Sequence, residues 1–197
     1  ASFGVLPHLN FARSLPQEDA MSLENAEQKD TDGDIRIAVL HLSHIANFDD
    51  IDPLAAEPDV SVIWVARGDP IPGDANLVIL PGSKTTISDL HDLREEGWDI
   101  DLAAHLRRGG SVLGICAGFQ MLGTHISDPE GREGLAGTSE GLALLDVETV
   151  LEPEKELTRV SGHAADGLGP VSGYEMHLGR TTRSGAERPA MTLAGAP

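Results

Sequence analysis

The sequence predicts an α/β fold, a mostly parallel sheet with helices on both faces. Three observations predict it. Residues 35–42 (IRIAVLHL), 60–66 (VSVIWVA), 76–80 (NLVIL) and 111–115 (SVLGI) are short, nearly uninterrupted apolar runs; segments of helical character lie between them; and the last run ends in a glycine-framed turn, Gly114 to Gly118. Strands that are apolar throughout and alternate with helices belong to parallel sheets covered on both sides. In such sheets functional sites form beyond the C-terminal ends of the strands.

In chain order, residues 3–9 (FGVLPHL) read as a short strand and turn with nothing before them, and residues 22–34 as a polar connector without apolar periodicity. Regular structure begins with the strand at 35–42, followed by a loop at 44–50 (HIANFDD) and a short helical piece around 52–56. The strands at 60–66 and 76–80 come next. One helix is expected through 88–93 and another over 99–108, where Arg107 and Arg108 followed by Gly109-Gly110 make a C-terminal stop. After the strand at 111–115, the apolar positions Phe119, Met121, Leu122 and Ile126 suit a helix over 117–126. The second half is less regular: a turn and strand over 140–150, a short strand at 157–160, and a loop with strand character over 171–182.

A formal charge of -18 over 197 residues opposes nonspecific binding to nucleic acid or to an anionic membrane. Aromatic residues make up 4% of the chain, too few for base-stacking platforms. One cysteine excludes an internal disulfide and supplies no zinc cluster, so no metal site is expected. No run approaches the roughly 18 apolar residues of a membrane span, and no signal-peptide pattern opens the chain. These features fit a cytoplasmic protein.

Cys116 falls where the last strand gives way to a helix. Gly114 and Gly118 give G-x-C-x-G, the pattern of a nucleophile elbow, in which small neighbours let the chain turn sharply and lift the nucleophile out at the strand's end. The helix N-terminus behind it favours a thiolate and an oxyanion, making Cys116 a candidate acyl-transfer nucleophile. The alternative is a buried structural cysteine. Pro81-Gly82-Ser83 leaves the end of the third strand nearby, so the backbone N–H groups of Gly82 and Ala117 would form a two-donor oxyanion hole. The alternative there is an ordinary strand-to-helix turn, and Lys84 beside it is expected to be solvated. A cysteine nucleophile also needs a histidine base. Of the eight histidines, His41 and His105 fall in a strand and a helix, where a structural role is expected; His163 and His177 lie in the glycine-rich second half, and His177 is the candidate base.

Residues 114–123 (GICAGFQMLG) resemble the nucleophile motif of class I, or triad-type, glutamine amidotransferase domains, which have a flavodoxin-like fold. Residues 47–54 (NFDDIDPL), 80–86 (LPGSKTT), 141–150 with Glu152, Pro153 and Lys155, and 172–181 (SGYEMHLGRT) are similar to further signatures of the cobyric acid synthase type. The resemblance covers residues 35–182 and assigns 35–197 to the amidotransferase domain. Residues 4–7 with 16–20 resemble the end of the ATP-dependent amide-forming domain that precedes it in this family, making 1–21 a remnant of that synthetase domain and 22–34 a linker. The resemblance implies that Cys116 attacks the side-chain amide of glutamine, with Gly82 and Ala117 holding the oxyanion. It also implies that Gln120 contacts the glutamine and that the segment containing Gly173, Tyr174 and His177 lines its pocket. No cofactor is implied in this domain. ATP and magnesium would serve the N-terminal synthetase domain of the same polypeptide, which would use the released ammonia to amidate carboxylates on a corrinoid acceptor.

The sequence departs from that family at one point. The family's base is a histidine in a His-Gly pair beyond the Gly-Tyr-Glu-x-His segment, whereas none of the eight histidines here precedes a glycine. The chain is therefore expected to lack the C-terminal stretch with the catalytic histidine, unless His177 substitutes. The third, acidic triad member is not identifiable, and the subfamily dispenses with it. Three other readings stay open: an amidotransferase for another acceptor, such as cobyrinic acid diamide or a cell-wall lipid precursor; a cysteine hydrolase of the same fold that ignores glutamine; and a silent binding module.

Overall fold

The computed structural model describes residues 33–183 and 189–194, apart from the side chains of 153–156, 166, 177, 178 and 194. The expectations for residues 1–21 and for most of the connector fall outside the described residues. In chain order the elements are β1 (Ile35–Leu40), β2 (Ile45–Ala46), α1 (Asp52–Ala55), β3 (Val60–Val65), β4 (Leu77–Leu80), β5 (Gly82–Ser83), α2 (Thr86–Glu95), α3 (Trp98–Arg107) and β6 (Ser111–Gly114). They continue with α4 (Ala117–Met121), β7 (His125–Asp128), β8 (Gly137–Glu140), β9 (Val147–Ala164), β10 (Gly169–Arg183) and β11 (Met191–Ala194).

The four predicted apolar runs form one parallel sheet in the order β3-β1-β4-β6. Period-2 alternation sends β1 side chains to opposite faces, and both faces are buried. Ala38 and Leu40 join Val78, Leu80, Leu90, Leu93, Trp98, Leu102 and Met121 under α2, α3 and α4. Ile37 and Val39 pack with Val60, Ile79 and Ile51, the last from a 3-10 turn leading into α1. Both β1 and β4 are therefore central, which explains why they carry the longest buried runs.

Several elements differ from expectation. The helix after the elbow is one and a half turns, Ala117–Met121, and Ile126, expected on that helix, is fully buried in β7. Short apolar runs do not separate helical from strand spacing by themselves. Here long-range pairing decides, because β7 lies antiparallel to β8 and parallel to β9. The segments at 157–160 and 171–182 prove to be parts of one long antiparallel hairpin, β9–β10, whose register shifts between Leu178 and Arg180. With β7, β8 and β11 it forms a second, five-stranded sheet. No helix among the described residues is long and apolar enough to cross a membrane.

α3 shows how the first sheet is braced. The buried His105 ring bonds through Nε2 to the Ser111 carbonyl at 2.9 Å, tying the helix to the start of β6. Gly110 lies flat on that ring, and a β-carbon there would fall 2.1 Å from Cε1. Gly110→Ala is accordingly expected to destabilise the protein by about 1–3 kcal/mol, read as a lowered urea midpoint; an unchanged midpoint would mean that the ring moves aside freely.

Candidate active site

Cys116 sits between β6 and α4 with φ 51° and ψ -111°, outside the regions that a residue with a β-carbon ordinarily occupies. Such a conformation costs on the order of 1–3 kcal/mol and persists only where the surroundings impose it. Two close approaches impose it here. A β-carbon on Gly118 would lie 2.0 Å from the Leu80 carbonyl oxygen, and one on Gly114 would lie 2.5 Å from the Phe119 amide nitrogen. The bare backbone at both positions lets α4 press against the ends of β4 and β6. The Ile115 amide bonds the Leu80 carbonyl at 2.9 Å, closing the turn. Cys116 is exposed at its apex, so the structure removes the buried structural cysteine from consideration.

The amide of Ala117, at the first position of α4, belongs to the helix-start donors that have no acceptor within the helix. Gly82 lies beside Cys116, with its ideal β-carbon position 3.8 Å from the Cys116 β-carbon. It belongs to β5, which pairs with β2 through Ile45↔Ser83 and Ala46↔Gly82. The Lys84 amide bonds the His44 carbonyl at 2.9 Å. Antiparallel alternation then makes Ala46 and Gly82 the pair that faces each other through backbone hydrogen bonds. The Gly82 amide thus points to the Ala46 carbonyl in this structure, and serving an oxyanion requires it to exchange that partner.

Buried and half-buried acids hold the surrounding loops. Asp89, on α2 and fully buried, accepts hydrogen bonds from Ser83 Oγ at 2.7 Å, the His44 amide at 3.1 Å and His44 Nδ1 at 2.7 Å. Glu133 reaches from the loop after β7 to the start of α2, taking the Ile87 amide at 2.9 Å and the Thr86 hydroxyl at 3.1 Å. The same hydroxyl lies 3.4 Å from Gln120 Oε1, so Gln120, on the inner side of α4, is drawn into this cluster. Asp128 organises the loop that carries Glu133, its two oxygens receiving the Arg132 and Glu133 amides at 2.8 Å each. Burial pushes the Asp128 carboxyl up, but the Glu133, Arg132 and Gly131 amides and the Arg132 charge outweigh it and hold the group below its ordinary value.

The structure brings Cys116, Gly82, Ala117 and Gln120 together around the elbow. Gly173 and Tyr174 lie in β10 opposite Val160 and Arg159, well along the hairpin from the Val147–Thr149 stretch of β9 that runs beside Gly123 and Thr124. Tyr174 is 72% exposed. His177 pairs with Glu156 in the same ladder, and its side chain is outside the described set. Among the described residues no histidine ring bonds to Cys116. His41 meets Trp64 edge-on, His44 faces Asp89, His91 faces Glu95, His105 holds Ser111 and His125 faces Glu148. The ligand atoms of His91, Asp92 and Glu95 come within 4.8 Å of one another on α2, but Asp92 is already engaged by Ser43 and Arg67. Asp89 and Glu133 give no sign in the sequence because His44 and Ile87 lie 45 and 46 residues away in the chain, whereas Asp128 bonds amides only four and five residues on, in a charged loop where an acid looks solvated.

Comparison with known proteins gives a consistent picture. Residues 36–196 match the model of the CobB/CobQ-like glutamine amidotransferase domain. The chain is 59% identical over 194 residues to a cobyric acid synthase of Rhodobacter capsulatus, covering 98% of this chain and 40% of that protein. It is 53% identical over 192 residues to that of Caulobacter sp. strain K31, with the same coverages. The chain thus spans about 40% of the length of the curated relatives it matches. Among solved structures, a chain of PurLQS from Thermotoga maritima superposes with a TM-score of 0.62 at 16% identity, covering 82% of this chain and 76% of that one. At that identity the likeness concerns the fold.

The Asp128 turn yields a test of the loop. Its carboxyl is held below the ordinary 3.8, so its stabilising contribution is present above that value and is lost as pH falls through the lower folded-state value. Asp128→Asn replaces one acceptor oxygen by a donor facing an amide and is expected to cost about 1–3 kcal/mol near neutrality. In urea titrations the gap to the parent protein should narrow below about pH 4. A gap that stays constant into acid would contradict this account.

Proposed function

The chain belongs to the family of CobB/CobQ-like glutamine amidotransferase domains, and on that premise we propose that it is the glutamine-hydrolysing part of a cobyric acid synthase. The observation that carries the reading is the strained, exposed Cys116 at φ 51°, set at the N-terminus of α4 with Gly82 beside it. That arrangement suits attack on a planar carboxamide and holds little for a binding module.

In this reading the Cys116 thiolate adds to the side-chain carbonyl carbon of glutamine, and the resulting oxyanion is met by the Ala117 amide and by Gly82 once its amide leaves Ala46. The carbon–nitrogen bond then breaks, the nitrogen takes a proton and leaves as ammonia, and a γ-glutamyl thioester remains on Cys116. Water hydrolyses the thioester to glutamate and returns the thiol. Gln120 is assigned to contact the bound glutamine from beneath, steadied by the Thr86 hydroxyl, and Gly173 and Tyr174 are assigned to the pocket by family likeness alone. The proton carrier is a histidine, either His177 or one carried elsewhere in the polypeptide.

The remaining length of the relatives is assigned to an ATP- and magnesium-dependent synthetase portion that activates corrinoid carboxylates and receives the ammonia. Coupling has a chemical reason: free ammonia near neutral pH is mostly the unreactive ammonium ion, so nitrogen delivered before protonation is the useful form. A corrinoid acceptor places the protein in cobalamin biosynthesis.

Cys116→Ala should lower glutamine-dependent glutamate release by on the order of 10³-fold or more, while amidation driven by added ammonia persists in the whole polypeptide. His177→Ala tests the proton carrier in the same assay, a comparable fall assigning the role to His177. Glutaminase activity that survives Cys116→Ala would overturn the reading.

A further inference from the structure

We propose that Asp89 is a positioning residue for this glutaminase reaction: through Ser83 and His44 its carboxylate fixes the Gly82–Ser83 strand beside Cys116. The inference rests on the functional reading above and concerns how the oxyanion side of the site is kept in place.

A carboxylate with no exposure is costly unless donors replace its lost water. Asp89 stands in the first turn of α2, where an exposed acid would gain from the helix dipole. Its side chain is instead buried and turned away from its own helix. All three donors come from the loops at the C-terminal edge of the sheet: Ser83 Oγ and the His44 amide on one oxygen, His44 Nδ1 on the other.

Those donors lie on Ser83 of β5 and on His44, the residue before β2, at one end of a β2–β5 ladder two residue pairs long. A ribbon of that size does not hold itself together in water. The Asp89 carboxylate closes it, gripping the residue before β2 and the second residue of β5 at once. The Ser83 hydroxyl is used twice, donating to Asp89 and accepting from the Thr85 amide at 2.9 Å, which turns the chain into α2. Gly82 precedes Ser83 directly, and the closeness of its ideal β-carbon position to the Cys116 β-carbon, 3.8 Å, follows from where Ser83 is held. The anchor does not use the Gly82 peptide itself. That amide remains able to turn from Ala46 toward an oxyanion while Ser83 and His44 stay fixed.

The test is steady-state glutamate release by the full polypeptide carrying Ser83→Ala, Ser83→Thr or Asp89→Asn, alongside alkylation of Cys116 by iodoacetamide, a reaction that needs no oxyanion hole. Ser83→Ala deletes one anchor at a partly exposed residue and keeps the proposal testable if Asp89→Asn does not fold. Loss of positioning should lower kcat about 10- to 100-fold with a much smaller change in KM. Iodoacetamide reactivity should stay near the parent rate, and Ser83→Thr, which keeps the hydroxyl, should recover most of the activity. Folded Ser83→Ala and Asp89→Asn proteins with parental kcat, or Ser83→Thr no better than Ser83→Ala, overturn the positioning role alone. A parent protein that releases no glutamate overturns the functional reading as well.

Discussion

Helix α4 approaches β4 so closely that a methyl group at Gly118 would stand 2.0 Å from the Leu80 carbonyl oxygen, and the site is built outward from that contact. With the helix pressed there and its first residues bonded back to Ile115 and Cys116, the chain leaving β6 has to reverse within a single residue. Cys116 absorbs the reversal in its backbone at φ 51°. The strain is offset by packing on a sheet whose two central strands are buried on both faces, so the thiol is aimed by the core of the protein. A nucleophile placed this way loses little orientation to thermal motion, and the Ala117 amide is aimed by the same contact.

The opposite wall of the site depends on a different force. Besides the packing of Leu42 and Ile45 into the core, β5 and its neighbours are positioned by buried or half-buried carboxylates: Asp89 for Ser83 and His44, Glu133 for the start of α2, Asp128 for the loop that carries Glu133. Packing holds the Cys116 side, whereas hydrogen bonds to carboxylates add to packing on the Gly82 side. In the proposed reaction the Gly82 amide changes partners, and the directed bonds at Ser83 and His44 do not involve that peptide.

Much of the first sheet and of the elbow was legible in the sequence because their signals are local. Four apolar runs named four strands, and two glycines around a cysteine after such a run have few other uses. His105 could be read as structural from its place in a helix, and the Ser111 carbonyl explains why. The second sheet was far less legible. Ile126 had helical spacing from Leu122, yet pairing with β9 across more than twenty residues made it strand. The glycine-rich stretch around Gly173 and Gly179 reads as loop until β9 is laid alongside it. Two of the anchoring acids were invisible for the same reason: Asp89 meets His44 at a separation of 45 residues, and Glu133 meets Ile87 at 46. Nothing in their immediate neighbours announces a partner that distant.

The proposed function stands or falls on Cys116 being the nucleophile that attacks glutamine. The most direct measurement is intact-mass spectrometry, with peptide mapping, of the protein treated with a diazoketone analogue of glutamine in the presence and absence of glutamine. One adduct per chain is expected, mapped to Cys116, whose formation saturates with reagent and is slowed by glutamine. No adduct, or an adduct at Cys116 that forms at the same rate with glutamine present, would contradict the proposed function.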